Sequence, residues 1–124
     1  MGAYCIIYIS PLASLTQCIN ALEDSGWKTI SNGSYSAKYR KIGKLVQIRV
    51  DLLTASVNNG TNTLIGTLPA DCTPSSRVIT PIVFGPAGSI LGFLTVQINK
   101  NVIVKQDSGA AQAYGAGNVM YFVD

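Results

Sequence analysis

Two rows of alternating apolar and polar residues between Tyr35 and Leu53 organise this chain. Tyr35, Ala37 and Tyr39 alternate with Ser36, Lys38 and Arg40; Val46, Ile48, Val50 and Leu52 alternate with Gln47, Arg49 and Asp51. A period of two places successive side chains on opposite faces of a strand. The stretch therefore predicts a hairpin with one buried face, turning at Ile42 and Gly43. β-Branched residues dominate its second strand, and the intervening polar set carries both charge signs, as suits a sheet with one face on a core and the other in water.

The same signals recur to the end of the chain. Lys28 to Ser31 predicts a strand followed by an Asn32-Gly33 turn, and Ser56 to Thr63 a polar loop around Asn58-Asn59-Gly60. Leu64 to Leu68 is a short strand stopped by Pro69, and Ala70 to Ser76, with Pro74, is a loop. Arg77 to Phe84 is a strand that needs an edge or a bulge, because Pro81 has no N–H to give a ladder. Pro86 to Ser89 turns the chain. Ile90 to Ile98 and Val102 to Lys105 form a hairpin around Asn99-Lys100-Asn101, residues suited to positive φ. The Gly/Ala-rich stretch Ser108 to Asn118 predicts a loop, and Val119 to Val123 a closing strand. About eight short strands at this spacing predict an all-β fold, an antiparallel β-sandwich of jelly-roll type. No helical crossover pattern separates the strands, which disfavours a parallel α/β sheet.

The N-terminal segment follows a different period. Ser10-Pro11 has the form of an N-cap with proline at the first helical position, predicting one short helix to about Leu22. Leu12, Leu15, Ile19 and Leu22 are spaced three, four and three apart, an a/d seam. A helix packed on its own sheet and the end of a coiled-coil stem would both show this stripe. Ser25-Gly26 ends it, dividing the chain into a segment of residues 1–25 and a β-domain of residues 26–124. The apolar run Ala3 to Ile9 has no basic flank and falls far short of the ~20 residues that span a bilayer, so it predicts neither a signal peptide nor an anchor.

Composition narrows the chemistry. With 124 residues one domain is expected, and charged residues are 12% of the chain against ~25% in an average protein, as suits a turn-rich β-fold. The net charge of +3 is scattered except for Lys38, Arg40, Lys41 and Lys44 around one turn, which predicts a solvated hairpin end rather than a nucleic-acid surface. Histidine is absent, and Cys5, Cys18 and Cys72 include no CxxC pair. No metal site, closed disulfide framework or cofactor is expected, and the thiols read as small apolar groups. Without histidine a serine or cysteine nucleophile has no marked base. Of the carboxylates Glu23, Asp24, Asp51, Asp71, Asp107 and Asp124, only Asp51, Asp71 and Asp107 lie among the strands, each at a turn or on a polar face. An enzyme is therefore not expected. Gly85-Pro86-Ala87-Gly88 and Gly115-Ala116-Gly117 precede no helix, so neither predicts a phosphate cradle.

A binding module remains, since it needs only a rigid scaffold with loops that carry suitable side chains. Tyr114, beside Gln112 and near Asp107, offers a ring face and hydrogen-bonding groups of the kind a saccharide uses. Tyr39 and Arg40 have the same character, but alternation assigns Tyr39 to the buried face. A 48% apolar content is also more than a monomer of this size readily buries, which predicts an oligomer interface.

Gly26-Trp27, the run Tyr39 to Ile48, Gly66-Thr67-Leu68-Pro69-Ala70 with Pro74, and Leu94 to Val104 as strand, turn and strand appear in an order that resembles the C-terminal head domain of bacteriophage tail-fibre and receptor-binding baseplate proteins. The resemblance covers Gly26 to Asp124. It implies a β-sandwich head on a homotrimeric fibre, carried at the phage tail tip of the virion after assembly in the bacterial cytoplasm. It further implies binding to bacterial cell-surface polysaccharide alongside other tail or baseplate proteins, without nucleic acid and without membrane insertion. Trp27, Gly43, Leu68 and Pro69 match fold-defining positions. The family's receptor loops vary, so Tyr114, Gln112 and Asp107 rest on residue type and place alone. One departure is that Asp71-Cys72-Thr73-Pro74 stands where the family has Gly-Tyr-x-Pro. A structural trimeric virion or TNF-like assembly module, and a small polysaccharide-degrading enzyme, are the alternatives from other classes.

Overall fold

The computed structural model describes residues 23 to 124. The predicted N-terminal helix with its Leu12, Leu15, Ile19 and Leu22 stripe, and the cysteines Cys5 and Cys18, lie outside the described residues.

The described chain forms eight antiparallel strands: β1 (Lys28–Asn32), β2 (Tyr35–Ile42), β3 (Leu45–Leu52), β4 (Thr63–Thr67), β5 (Val78–Phe84), β6 (Ile90–Val96), β7 (Asn101–Gln106) and β8 (Gly115–Phe122). They make one sheet in the order β1-β2-β3-β8-β5-β6-β7-β4. Its two edge strands meet. A Cβ on Gly66 of β4 would stand 2.9 Å from the Ile30 side chain of β1, and Asn32 Nδ2 donates to the Leu64 carbonyl at 3.0 Å. The sheet is thus nearly closed, and each edge shields the other from strand addition.

The central hairpin forms as its alternation predicts. β2 and β3 pair with Tyr39 opposite Ile48, and Val46, Ile48, Val50 and Leu52 are at most 2% exposed. They join Val57, Ile65, Phe84, Leu94, Val102 and Val104 in one core, each large apolar side chain contributing ~1.5 to 3 kcal/mol by leaving water. The turn falls at Gly43-Lys44, one position later than the pattern suggests, with Gly43 taking the left-handed φ of 58°. In the β6–β7 turn the residue at positive φ is Lys100 (78°), while Asn99 stays beside it and accepts a hydrogen bond from the Asn101 N–H through its side chain.

Two expectations change. β5 does not sit at an edge; it lies between β8 and β6. Its ladder to β6 is complete through Pro81 opposite Phe93, whereas towards β8 the single paired position is Val83 opposite Ala116. The missing N–H of Pro81 is accommodated by a thin seam inside the sheet rather than by a free edge. The Gly/Ala-rich stretch also turns to strand sooner than composition suggests, since β8 begins at Gly115 and not at Val119. A Cβ on Gly115 would meet Phe84 at 2.6 Å and one on Gly117 would meet Ile82 at 2.1 Å. These glycines let β8 lie flat against the core side chains of β5, and are strand residues for that reason.

Candidate functional site

The strands carry loops to two ends of the sheet. One end holds the β1–β2 turn, the loops of residues 53–62 and 107–114, and the β5–β6 turn. The other holds the Gly43 turn, residues 68–77 and the β6–β7 turn. Tyr114, Gln112 and Asp107 all lie at the first.

That end is built around Gln106, the last residue of β7, 1% exposed and the one buried polar side chain of the described core. Its amide donates to the carbonyls of Val57 (2.9 Å) and Ala110 (2.8 Å), and its Oε1 accepts the N–H of Ser108 at 2.8 Å. A buried amide with its hydrogen bonds met is an uncharged clamp, and here it fastens two loops together. Paired backbone bonds between Val57 and Gln112, the Gly109 N–H on Asn59 Oδ1 and the Gly85 N–H on the Ala113 carbonyl add to it.

Tyr114 follows this clamp, 47% exposed and in the left-handed region with φ of 58°. A non-glycine residue there costs of order 1 kcal/mol and persists only where its surroundings impose it. Gln112 is half-buried, its backbone bridging to Val57 and its Nε2 donating to Ser108 Oγ at 3.1 Å. Asp107 is exposed and lines a cleft of about 440 Å³ with Ser89, Ser108, Leu91 and Phe93. Tyr114 and Gln112 stand outside the wall of that cleft. The structure gathers all three residues at one end, with Asp107 opening towards β6.

The opposite end holds a cleft of about 590 Å³ lined by Glu23, Asp24, Lys28, Tyr39, Lys41 and Asp71, with Cys72 below. Lys41 Nζ lies 3.6 Å from Asp71, and Asp24 forms a forked ion pair with Arg40. The Arg40 bond and the Gly26 N–H hold the Asp24 carboxyl below its ordinary range. Arg40 and Arg49 also flank the Trp27 ring, 5.6 and 5.0 Å from its centre. Beneath, Tyr121 donates to the Cys72 carbonyl at 2.6 Å. Burial, then the Asp71 carboxylate, pushes the Cys72 thiol up to about 11, and burial raises the Tyr121 phenol too. A buried thiol with so high a pKa is no nucleophile at neutral pH.

Sequence reasoning missed this cleft as a unit. The basic cluster Lys38, Arg40, Lys41 and Lys44 and the polar character of Tyr39 were legible, but of these only Tyr39 and Lys41 line the cleft, and their meeting with Asp71 depends on where the 68–77 loop folds. Among the described residues no three histidine, cysteine or carboxylate side chains converge as metal ligands. No protein-family model matches the chain, and no curated protein matches it.

Proposed function

We propose that this chain is the head of a phage or phage-like tail-fibre or baseplate receptor-binding protein, a jelly-roll-like β-sandwich that attaches as a homotrimer to a bacterial cell-surface polysaccharide without altering it. The observation that carries the proposal is Tyr114, an exposed aromatic ring held in a strained backbone conformation by a loop clamped on Gln106. A backbone set before the ligand arrives leaves only the side-chain rotamers of Tyr114 to be ordered when its ring stacks on a sugar face. Gln112 and Asp107 supply a donor and an acceptor for hydroxyl groups. The location is the virion tail tip, beside other tail or baseplate proteins.

The test is retention of the full chain on immobilised bacterial cell-wall and capsular polysaccharides. Reversible retention on one of them is expected, with Tyr114→Gly weakening it at least ~10-fold while the melting temperature holds or rises, because glycine relieves the positive φ. Retention that survives the substitution removes Tyr114 from the site. Shortened polysaccharide chains would indicate a degrading enzyme. No retention on any of them would favour the second reading, a trimeric assembly module, for which the exposed apolar face of β8, β5 and β6 is the supporting observation.

A further inference from the structure

We infer that the outer face of β8, β5 and β6 is the surface through which copies of this chain meet, an inference that rests on the homotrimer proposed above. Alternation sends Ile79 and Val83 of β5, Leu91 and Phe93 of β6, and Met120 and Phe122 of β8 away from the core. Leu91 is 60% exposed, Met120 60% and Phe122 76%. The strands are adjacent, and the register sets Val83 beside Leu91 on one side and Ala116 on the other. These side chains therefore share one face of three adjacent strands, with Pro81 opposite Phe93 between them and Asn118 of β8 as its polar interruption.

The patch has the size of an interface. Its six large side chains expose on the order of 600 Å², at the upper limit for a monomer's largest apolar patch. A stable interface takes ~800 Å² from each partner, which the polar rim would complete. The fold also favours association through this sheet face over strand addition at an edge. Because β1 and β4 shield each other through Gly66, Ile30 and Asn32, a second copy has no free edge to extend.

Both rims of the patch carry charge, and Arg49, which shares the outer face of β3 with Asp51, is drawn over the Trp27 ring at 5.0 Å. Lys105 of β7 stands opposite Phe93, and Asp51 of β3 opposite Ala116. Both side chains alternate outward, and among the described residues neither has an ion-pair partner. In a closed ring of identical copies the β7 rim of one meets the β3 rim of the next, so Lys105 of each can face Asp51 of its neighbour.

Light scattering on the full chain, with two sets of variants, tests the inference. The unaltered protein should elute at about three times 13.1 kDa. Leu91→Lys with Met120→Lys should elute as a single copy with unchanged far-UV circular dichroism, since both side chains already face outward. Lys105→Asp should raise the dissociation constant at least ~10-fold, and adding Asp51→Lys should restore assembly. This charge reversal decides the matter even if the lysine variant fails to fold. A trimer that persists in every variant overturns the inference while the homotrimer stands; its loss in Leu15→Asp with Ile19→Asp would then put the contact in the N-terminal segment. An unaltered protein that is monomeric at micromolar concentration overturns both.

Discussion

At the Tyr114 end of the sheet, two loops converge on one uncharged side chain, the Gln106 amide, and every bond it makes is neutral. At the Cys72 end the chain closes over ionisable groups instead: the Asp24–Arg40 pair, Lys41 beside Asp71, and a thiol and a phenol whose charged forms burial disfavours. One strand set supports both ends, and the contrast comes from which strand-end side chains meet the loops, Gln106 of β7 at one end and Arg40, Lys41 and Tyr121 of β2 and β8 at the other. A neutral clamp keeps its geometry wherever the protein is folded, whatever the pH and salt. A charged closure depends on both. Tyr114, with its exposed ring and positive φ, stands at the neutral end.

The largest expected effect is at the clamp. Gln106→Leu keeps most of the volume but leaves the Ser108 N–H without a partner and takes one of two donors from each of the Val57 and Ala110 carbonyls, which keep the Gln112 N–H and the Ser108 hydroxyl, at a cost of ~3 kcal/mol in urea unfolding. Polysaccharide retention should fall with it. A loss below ~1 kcal/mol would mean that backbone pairing alone holds the loop, and the contrast between the ends would fail.

Alkaline pH should strike the other end. The Cys72 thiol is raised from 9.0 to about 11, so its contribution to stability is whole below pH 9 and is lost as pH rises through 11; Tyr121, raised above its usual 10.0, adds to the loss from pH 10 upward. Stability should drop by on the order of 2 kcal/mol between pH 9 and 11, and Cys72→Ala should flatten that slope. An unchanged slope would exclude the thiol as its source.

Tyr121→Phe removes the bond to the Cys72 carbonyl and nothing else, so ~1 kcal/mol is expected in thermal unfolding, with polysaccharide retention untouched. Weaker retention would show that the two ends are coupled through β8. The smallest effect belongs to Asp24→Asn. The lowered carboxyl pKa means its contribution is present above pH 3.8 and fades as pH falls through the folded value. The exposed pair should leave the melting temperature at pH 7 almost unmoved, and the variant should differ from the unaltered protein chiefly in a shallower acid limb. A large shift at pH 7 would make this end as tightly closed as the other.

The sequence by itself determined where most of the strands run and which residues of β3 are inside, because a period of two over Val46, Ile48, Val50 and Leu52 is a local signal that burial confirms residue by residue. It also marked Tyr114, Gln112 and Asp107 as polar and aromatic groups near one another in the chain. Only the tertiary structure decided what holds them. Gln106 follows the apolar alternation of β7 and carries no mark of a hub until Val57, Ala110 and Ser108 arrive from two loops. Gly115 and Gly117 have the composition of a loop, and become strand because Phe84 and Ile82, some thirty residues earlier, leave room for no side chain there. The outward apolar residues of β5, β6 and β8 are likewise unremarkable in each strand. They become one patch when strand order sets β8 beside β5, a long-range pairing that no local pattern encodes.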